Sequence, residues 1–173
     1  SKALIFDNKK TKDLLITTPQ EKVKQVQIFG HIPEEMAKVC TFKELQKFDV
    51  IDINLGCPAP KIVKNGDGSA LLKNLPLMAE IVTACRKATN KTLSCKFRIG
   101  FNAGENIATD VATLLSDCGV DFITIHGRTT HQGYAGEIDY DTIAKVKSMV
   151  KIPVVGNGNV FDEKSYLTLK NTG

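Results

Sequence analysis

Five short apolar runs, each meeting a glycine within two residues, limit what this chain can fold into. They are Val26-Gln27-Ile28-Phe29, Val50-Ile51-Asp52-Ile53-Asn54-Leu55, Leu93-Ser94-Cys95-Lys96-Phe97-Arg98-Ile99, Phe122-Ile123-Thr124-Ile125-His126 and Pro153-Val154-Val155. The glycines are Gly30, Gly56, Gly100, Gly127 and Gly156. Short Val- and Ile-rich runs bounded by glycine suit a parallel sheet covered by helices. Helix-period stretches lie between them, over 33–47, 75–89, 108–117 and 141–149. The spacing groups Leu77, Ile81, Val82 and Cys85, then Val111, Leu114 and Leu115, then Ile143, Val146 and Met149. Strand alternating with helix predicts an α/β fold.

Two α/β architectures compete, an open doubly wound sheet and a (β/α)8 barrel. Both carry their chemistry at the carboxyl ends of the strands. Polar residues lie at or near the ends of all five strands: Gln27, Asn54 with Cys57, Lys96 with Arg98, His126 with Arg128, and Asn157. A dinucleotide crevice draws mainly on one switch point, whereas a barrel mouth draws on every strand. GxGxxG and Walker A sequences are absent. The reading is therefore a partial TIM (β/α)8 barrel in one incomplete domain. A full barrel takes roughly 250 residues and eight strands. This chain has 173 residues and ends at Asn171-Thr172-Gly173, where a further strand is expected.

Composition narrows the class. With 42% hydrophobic and 24% charged residues the chain reads as soluble and globular. It contains no apolar run near the roughly 20 residues that span a bilayer. Its first residues lack a signal-peptide pattern. A net charge of +4 permits a polyanionic partner without demanding one. Only Arg86, Arg98 and Arg128 are arginines, the residue suited to bidentate contacts. The five cysteines are odd in number and none pairs at CxxC spacing, and His31, His126 and His131 form no metal motif. A reducing cytoplasmic location is the expectation.

The strand-end motifs, taken in order, resemble the tRNA-dihydrouridine synthase family of bacterial type. The matching stretches are Gln27-Ile28-Phe29-Gly30, Asp52-Ile53-Asn54-Leu55-Gly56-Cys57-Pro58 and Lys64-Asn65-Gly66-Asp67-Gly68-Ser69-Ala70-Leu71-Leu72. They continue through Lys96-Phe97-Arg98, Ile125-His126-Gly127-Arg128-Thr129, Gln132-Gly133-Tyr134-Ala135-Gly136 and Gly156-Asn157-Gly158-Asn159-Val160. The resemblance implies FMN as cofactor, NADPH as reductant, tRNA as substrate and reduction of uridine to 5,6-dihydrouridine. It also implies that the chain covers about strands 3–7 of the barrel, without the eighth strand and without the helical domain that follows in the family. Where the family usually has Asp after Gly-Asn-Gly, this chain has Asn159.

The resemblance gives Cys57 the role of proton donor to carbon 5 of the uracil, opposite the face that receives hydride at carbon 6. A thiol has a reference pKa of about 8.5 and still holds its proton at neutral pH. The plainer reading of Cys57 is a buried structural cysteine, and Cys40, Cys85, Cys95 and Cys118 are read as core. Lys96 and Arg98 stand two apart and face one side of their strand. Two inward cations need acids or a bound anion, and the resemblance gives Lys96 to the flavin and Arg98 to the uridine side. Gln27, His126, Gly156, Asn157 and Gly158 are the remaining cofactor candidates, with a structural role as the alternative for each. Asn54 and Tyr134 are candidates for the substrate side. Arg128 either binds phosphate or holds its loop. Lys61, Lys64 and Lys73 are weak candidates for tRNA phosphates. Two rival functions remain: a non-catalytic remnant with at most weak RNA binding, and another flavin barrel that reduces a small pyrimidine.

Overall fold

The computed structural model describes Asp13 and residues 15–173. Among these residues the strands are β1 (Gln25–Ile28), β2 (Val50–Leu55), β3 (Thr92–Arg98), β4 (Phe122–His126) and β5 (Val154–Asn157). The α-helices are α1 (Pro33–Cys40), α2 (Pro60–Lys64), α3 (Leu75–Ala88), α4 (Ala108–Asp117), α5 (Tyr140–Met149) and α6 (Glu163–Lys170). Short 3-10 turns cover Lys43–Leu45 and Gly68–Lys73.

All pairings are parallel, and the strand order is β1-β2-β3-β4-β5, the order of the chain. This settles the choice between the two architectures. A doubly wound sheet reverses its strand order at a switch point and carries helices on both faces. Here every crossover steps to the next strand in one direction. With crossovers of one hand, the helices gather on one face, and the sheet is an arc of a (β/α)8 barrel.

The register assigns the two faces. Ile28, Ile53, Cys95 and Ile123 form one row, and Leu55, Phe97 and Ile125 another. All seven are buried, and they share one core with Met36 and Val39 of α1, Met78 and Ile81 of α3, Val111 and Leu115 of α4, and Ile143 and Val146 of α5. The opposite face is polar. Gln27, Asp52 and Ser94 are in register, as are Asn54, Lys96 and Thr124, and then Arg98, His126 and Asn157. That polar face is the inside of the arc. The alternation in Ile51-Asp52-Ile53-Asn54-Leu55 is thus a true two-residue period, with the apolar positions under the helices.

Local sequence explains most boundaries. Asn74 caps α3 by accepting from the Leu77 N–H at 3.1 Å, and Asp139 caps α5 by accepting from Thr142 N–H at 2.8 Å. Asp162 and Ser165 form a reciprocal capping box at α6. Helix α1 stops at Cys40 instead of running on to position 47. The Thr41 hydroxyl donates to the Lys38 carbonyl at 2.8 Å, and Phe42 is extended. The α2 helix and the Gly68–Lys73 turn are too short for periodicity to reveal. Helix α6 carries few apolar residues and buries none.

One expected core residue lies elsewhere. Met149 is 54% exposed, while Ile143 and Val146 are buried. Two successive i+3 steps turn it about 120° away from Ile143, and it sits in the last turn of α5. Leu77 and Leu114 are only partly buried; Met78 and Ala112 take the inner positions.

Phe97 lies at the centre of the sheet and is fully buried. Phe97→Ala is expected to lower stability by about 3–5 kcal/mol. Met149→Ala is expected to change it by less than about 0.5 kcal/mol. Urea unfolding of the two variants tests the inside and outside assignment.

Candidate functional site

The carboxyl ends of the five strands open into a cavity of about 550 Å³. Gln27, Asn54, Cys57, Lys96, Arg98, His126, Tyr134, Asn157 and Gly158 all line it, joined by Gly56, Pro58, Arg128, Asn159 and Phe161. Gly156 does not. It belongs to the helix-facing register, beside Ile125, and a Cβ there would meet the Leu169 side chain of α6 at 2.7 Å. Its lack of a side chain serves packing of α6.

Cys57 is held on every side of its peptide. Its N–H donates to Asn54 Oδ1 at 2.9 Å, and the Gly56 N–H donates to the same oxygen at 3.1 Å. The Cys57 carbonyl accepts from the Ser69 hydroxyl at 2.8 Å and from the Ser69 N–H at 3.2 Å. Gly56 O accepts from Arg98 Nε at 2.9 Å. Gly68 makes the close contact possible. Its φ is +59°, and a Cβ would lie 3.0 Å from that of Cys57. Local spacing gives no sign of the roles of Ser69 and Gly68, since both act on Cys57 from across a loop. The same is true of His31. Its Nδ1 lies 2.8 Å from Asp67 Oδ1, which ties the same loop to the β1–α1 connection.

The two cations of β3 take different partners. Lys96 Nζ donates to Asn157 Oδ1 at 2.9 Å, which links β3 to β5 across the cavity floor. Arg98, only 3% exposed, also donates from Nη1 to the carbonyls of Thr129 at 3.1 Å and Gly133 at 2.8 Å. Among the described residues neither cation forms a salt bridge. Arg98 thereby joins the Cys57 loop to the loop bearing Tyr134. The Tyr134 ring lies 5.6 Å from the guanidinium and 6.4 Å from the His126 ring, and the residue is 79% exposed at the mouth. Arg128 has a loop-holding role: it donates to Gly136 O at 2.7 and 3.1 Å and to Asn159 Oδ1 at 3.0 Å. The Asn that stands in place of the usual Asp is therefore an acceptor for this arginine. Asn159 also has φ +51°, a conformation asparagine tolerates.

Away from the cavity, Arg86 donates to Asp121 and to the carbonyls of Thr89 and Lys91. Lys73 lies 3.6 Å over the Phe101 ring, a contact that occupies one of the three candidate lysines. Cys40, Cys85 and Cys95 are buried as expected, whereas Cys118 is only partly so and donates weakly to Ala79 O.

The electrostatics follow from burying positive charge. Burial lowers the Lys96 pKa, and Arg98 nearby lowers it further. His126 is pushed down to about 4 by burial and by Arg98, Lys96 and Arg128. Its imidazole is neutral at pH 7 and offers one donor and one acceptor. His126 Nε2 is buried without a hydrogen-bond partner among the described residues, and buried polar atoms are seldom left so. A ligand with polar edges and negative charge fits this wall. Gln27, Lys96, His126 and Asn157 are the side chains placed to hold it.

Comparison with known proteins places the chain among relatives. The family model described as "Dihydrouridine synthase (Dus)" matches residues 1–173. The chain is 37% identical over 170 residues to the tRNA-dihydrouridine synthase B of Shewanella oneidensis, covering 98% of this chain and 53% of that protein. It is 37% identical over 149 residues to the namesake from Xanthomonas axonopodis pv. citri, covering 86% of this chain and 45% of that one. The chain thus spans about half the length of these relatives. Among solved structures, a putative dehydratase from Salmonella enterica serovar Typhimurium superposes with a TM-score of 0.63 at 16% identity, over 93% of this chain and 43% of that one. A dipeptide epimerase from Enterococcus faecalis superposes with a TM-score of 0.58 at 18% identity, over 93% and 39%. At such identities these two bear on the fold alone. The chain belongs to the dihydrouridine synthase family.

Proposed function

We propose that this chain supplies strands three to seven of the FMN-binding barrel of a tRNA-dihydrouridine synthase, which reduces uridine to 5,6-dihydrouridine at the expense of NADPH. One observation carries the proposal. Cys57, from the end of β2, shares a single cavity with Lys96, Arg98 and His126 from the ends of β3 and β4. The unpartnered His126 Nε2 and the cationic wall suit the polar edge of a flavin ring system.

When bound, FMN supplies hydride to carbon 6 of the uracil. The chain's own residues do the rest. Cys57 gives its proton to carbon 5, so one hydride and one proton saturate the double bond. Asn54, Gly68, Ser69 and Arg98 fix the Cys57 loop so that the thiol side faces the cavity. Lys96, anchored on Asn157, places positive charge against the cofactor. Neutral His126 adds a hydrogen bond without adding a further charge. Tyr134 at the mouth offers a flat surface for a base drawn out of the tRNA stack. The remaining barrel strands and a helical domain to orient the tRNA belong to the rest of the whole protein under this reading, as does a cytoplasmic location. Among the described residues no helix is long and apolar enough to cross a membrane.

Cys57→Ala in the full-length protein is expected to lower dihydrouridine formation by about 100-fold or more, measured by mass spectrometry of tRNA. Undiminished formation removes the proton-donor role. Reduction of free uracil or orotate but not of tRNA favours the small-pyrimidine reading. No flavin binding and no NADPH oxidation favour a non-catalytic remnant.

His126 also carries a pH signature. Its folded pKa of about 4 lies below the reference of 6.5, so the unfolded chain binds more protons between those values. Its contribution to stability is present above pH 6.5 and is lost as pH falls toward 4. An NMR titration is expected to leave the His126 imidazole neutral down to about pH 5. Protonation near pH 6.5 counts against a buried, cation-flanked ring.

A further inference from the structure

A row of side chains, Ser94–Asp52–Gln27–Asn54, runs from beneath the cavity to its wall and ends on the Cys57 loop. Ser94 Oγ donates to Asp52 Oδ1 at 2.6 Å, and Gln27 Nε2 donates to Asp52 Oδ2 at 2.6 Å. Gln27 Oε1 then accepts from Asn54 Nδ2 at 2.7 Å. Asn54 Oδ1, turned the other way, accepts from the N–H groups of Gly56 and Cys57. Asp52 and Ser94 are 1% and 0% exposed, so water does not compete at that end.

An amide can point either way, because its oxygen and nitrogen ends have the same shape. A carboxylate cannot, since when ionised it only accepts. Asp52 therefore draws the NH2 end of Gln27. That leaves the Gln27 oxygen for Asn54, draws the NH2 of Asn54, and leaves the Asn54 oxygen for the two backbone donors. We propose that Asp52 is a positioning residue that sets the direction of this hydrogen-bond chain and so fixes the peptide carrying Cys57. The inference deepens the reading of Cys57 given above and rests on it for its catalytic meaning. The bonds themselves are independent of that reading.

Direction can be reversed by design. In Asn54→Asp the carboxylate still accepts from Gly56 and Cys57, but it also faces Gln27. Gln27 then meets a carboxylate on both sides and can donate its NH2 to only one. Adding Asp52→Asn restores consistency, because the Asn at 52 donates to Gln27 Oε1 and Gln27 Nε2 donates to the Asp at 54. The net charge of the double variant equals that of the parent.

The test is amide hydrogen exchange at Gly56 and Cys57 in the full chain, compared with amides of α4 as an internal reference. N54D leaves one of two carboxylates without its bond to Gln27 and so loosens the residue that holds the loop; exchange at the two positions is expected to speed by about tenfold relative to the reference, the size of that one lost bond to a charged group. D52N/N54D is expected to return it to within about threefold of the parent. Recovery of folding in the double variant, should N54D alone not fold, supports the proposal equally. Unchanged exchange in N54D overturns it, and so does a lack of recovery in the double variant when at least one of the two variants folds. If neither variant folds, Gln27→Met decides: it removes the acceptor for Asn54, and unchanged exchange at Gly56 and Cys57 overturns the proposal. The outcomes separate from those for Cys57. Exchange that follows the expected pattern while C57A still forms dihydrouridine leaves the chain of bonds standing and removes only the proton donor.

Discussion

Burying polar side chains on the inner face of a parallel sheet is costly unless they find partners, and the site depends on that constraint. Asp52, Ser94 and Arg98 are nearly or fully inaccessible, and Lys96 is drawn down by burial. Left alone, such groups cost several kcal/mol each. They are kept because register brings complementary groups level, Gln27 beside Asp52 and Asp52 beside Ser94, and because Arg98 reaches the carbonyls of Gly56, Thr129 and Gly133. Asp52 itself shows the tension. Burial raises its pKa, while the donors Gln27 and Ser94 and the charge of Lys96 hold it down.

The outer face provides the support for this arrangement. Its apolar rows pack under the helices and fix the strand register. A slip of one residue would exchange the two faces completely, placing Asp52 and Lys96 under helices and Ile53 and Phe97 in the cavity. The cost of that exchange on both faces is what makes the register, and hence the site, specific. Loops then complete the work. Arg98 reaches carbonyls from two loops beyond β2 and β4, and Ser69 returns from a third to close on Cys57.

Much of the cavity was legible from residue types at strand ends, because a strand directs alternate side chains to one side and a parallel sheet aligns its carboxyl ends. Gln27, Asn54, Cys57, Lys96, Arg98, His126 and Asn157 were found this way, and all line the cavity. Asp52 was visible as a residue but carried no role. Its two-residue spacing from Asn54 was the available signal, and it places both side chains on the same face. Gly156 stands outside the cavity lining, and a Gly-Asn-Gly turn does not say which member faces inward. Ser69, Gly68 and Asp67 stood in a matching stretch but carried no individual role, because contacts across a loop leave no periodic trace.

By itself the sequence determined the five strands and four of the helices, their α/β alternation, the polar character of the strand ends and the family. Those properties are local, set by side-chain periodicity, by caps such as Asn74 and Asp139, and by glycine at chain reversals. The tertiary structure alone decided three things: the register in which the strands pair, that Arg128 holds loops, and that one directed run of hydrogen bonds leads from Ser94 to Cys57. Each depends on which strand lies next to which and in what register. Pairing of that kind is a property of residues some 25 to 42 positions apart, and no local pattern encodes it.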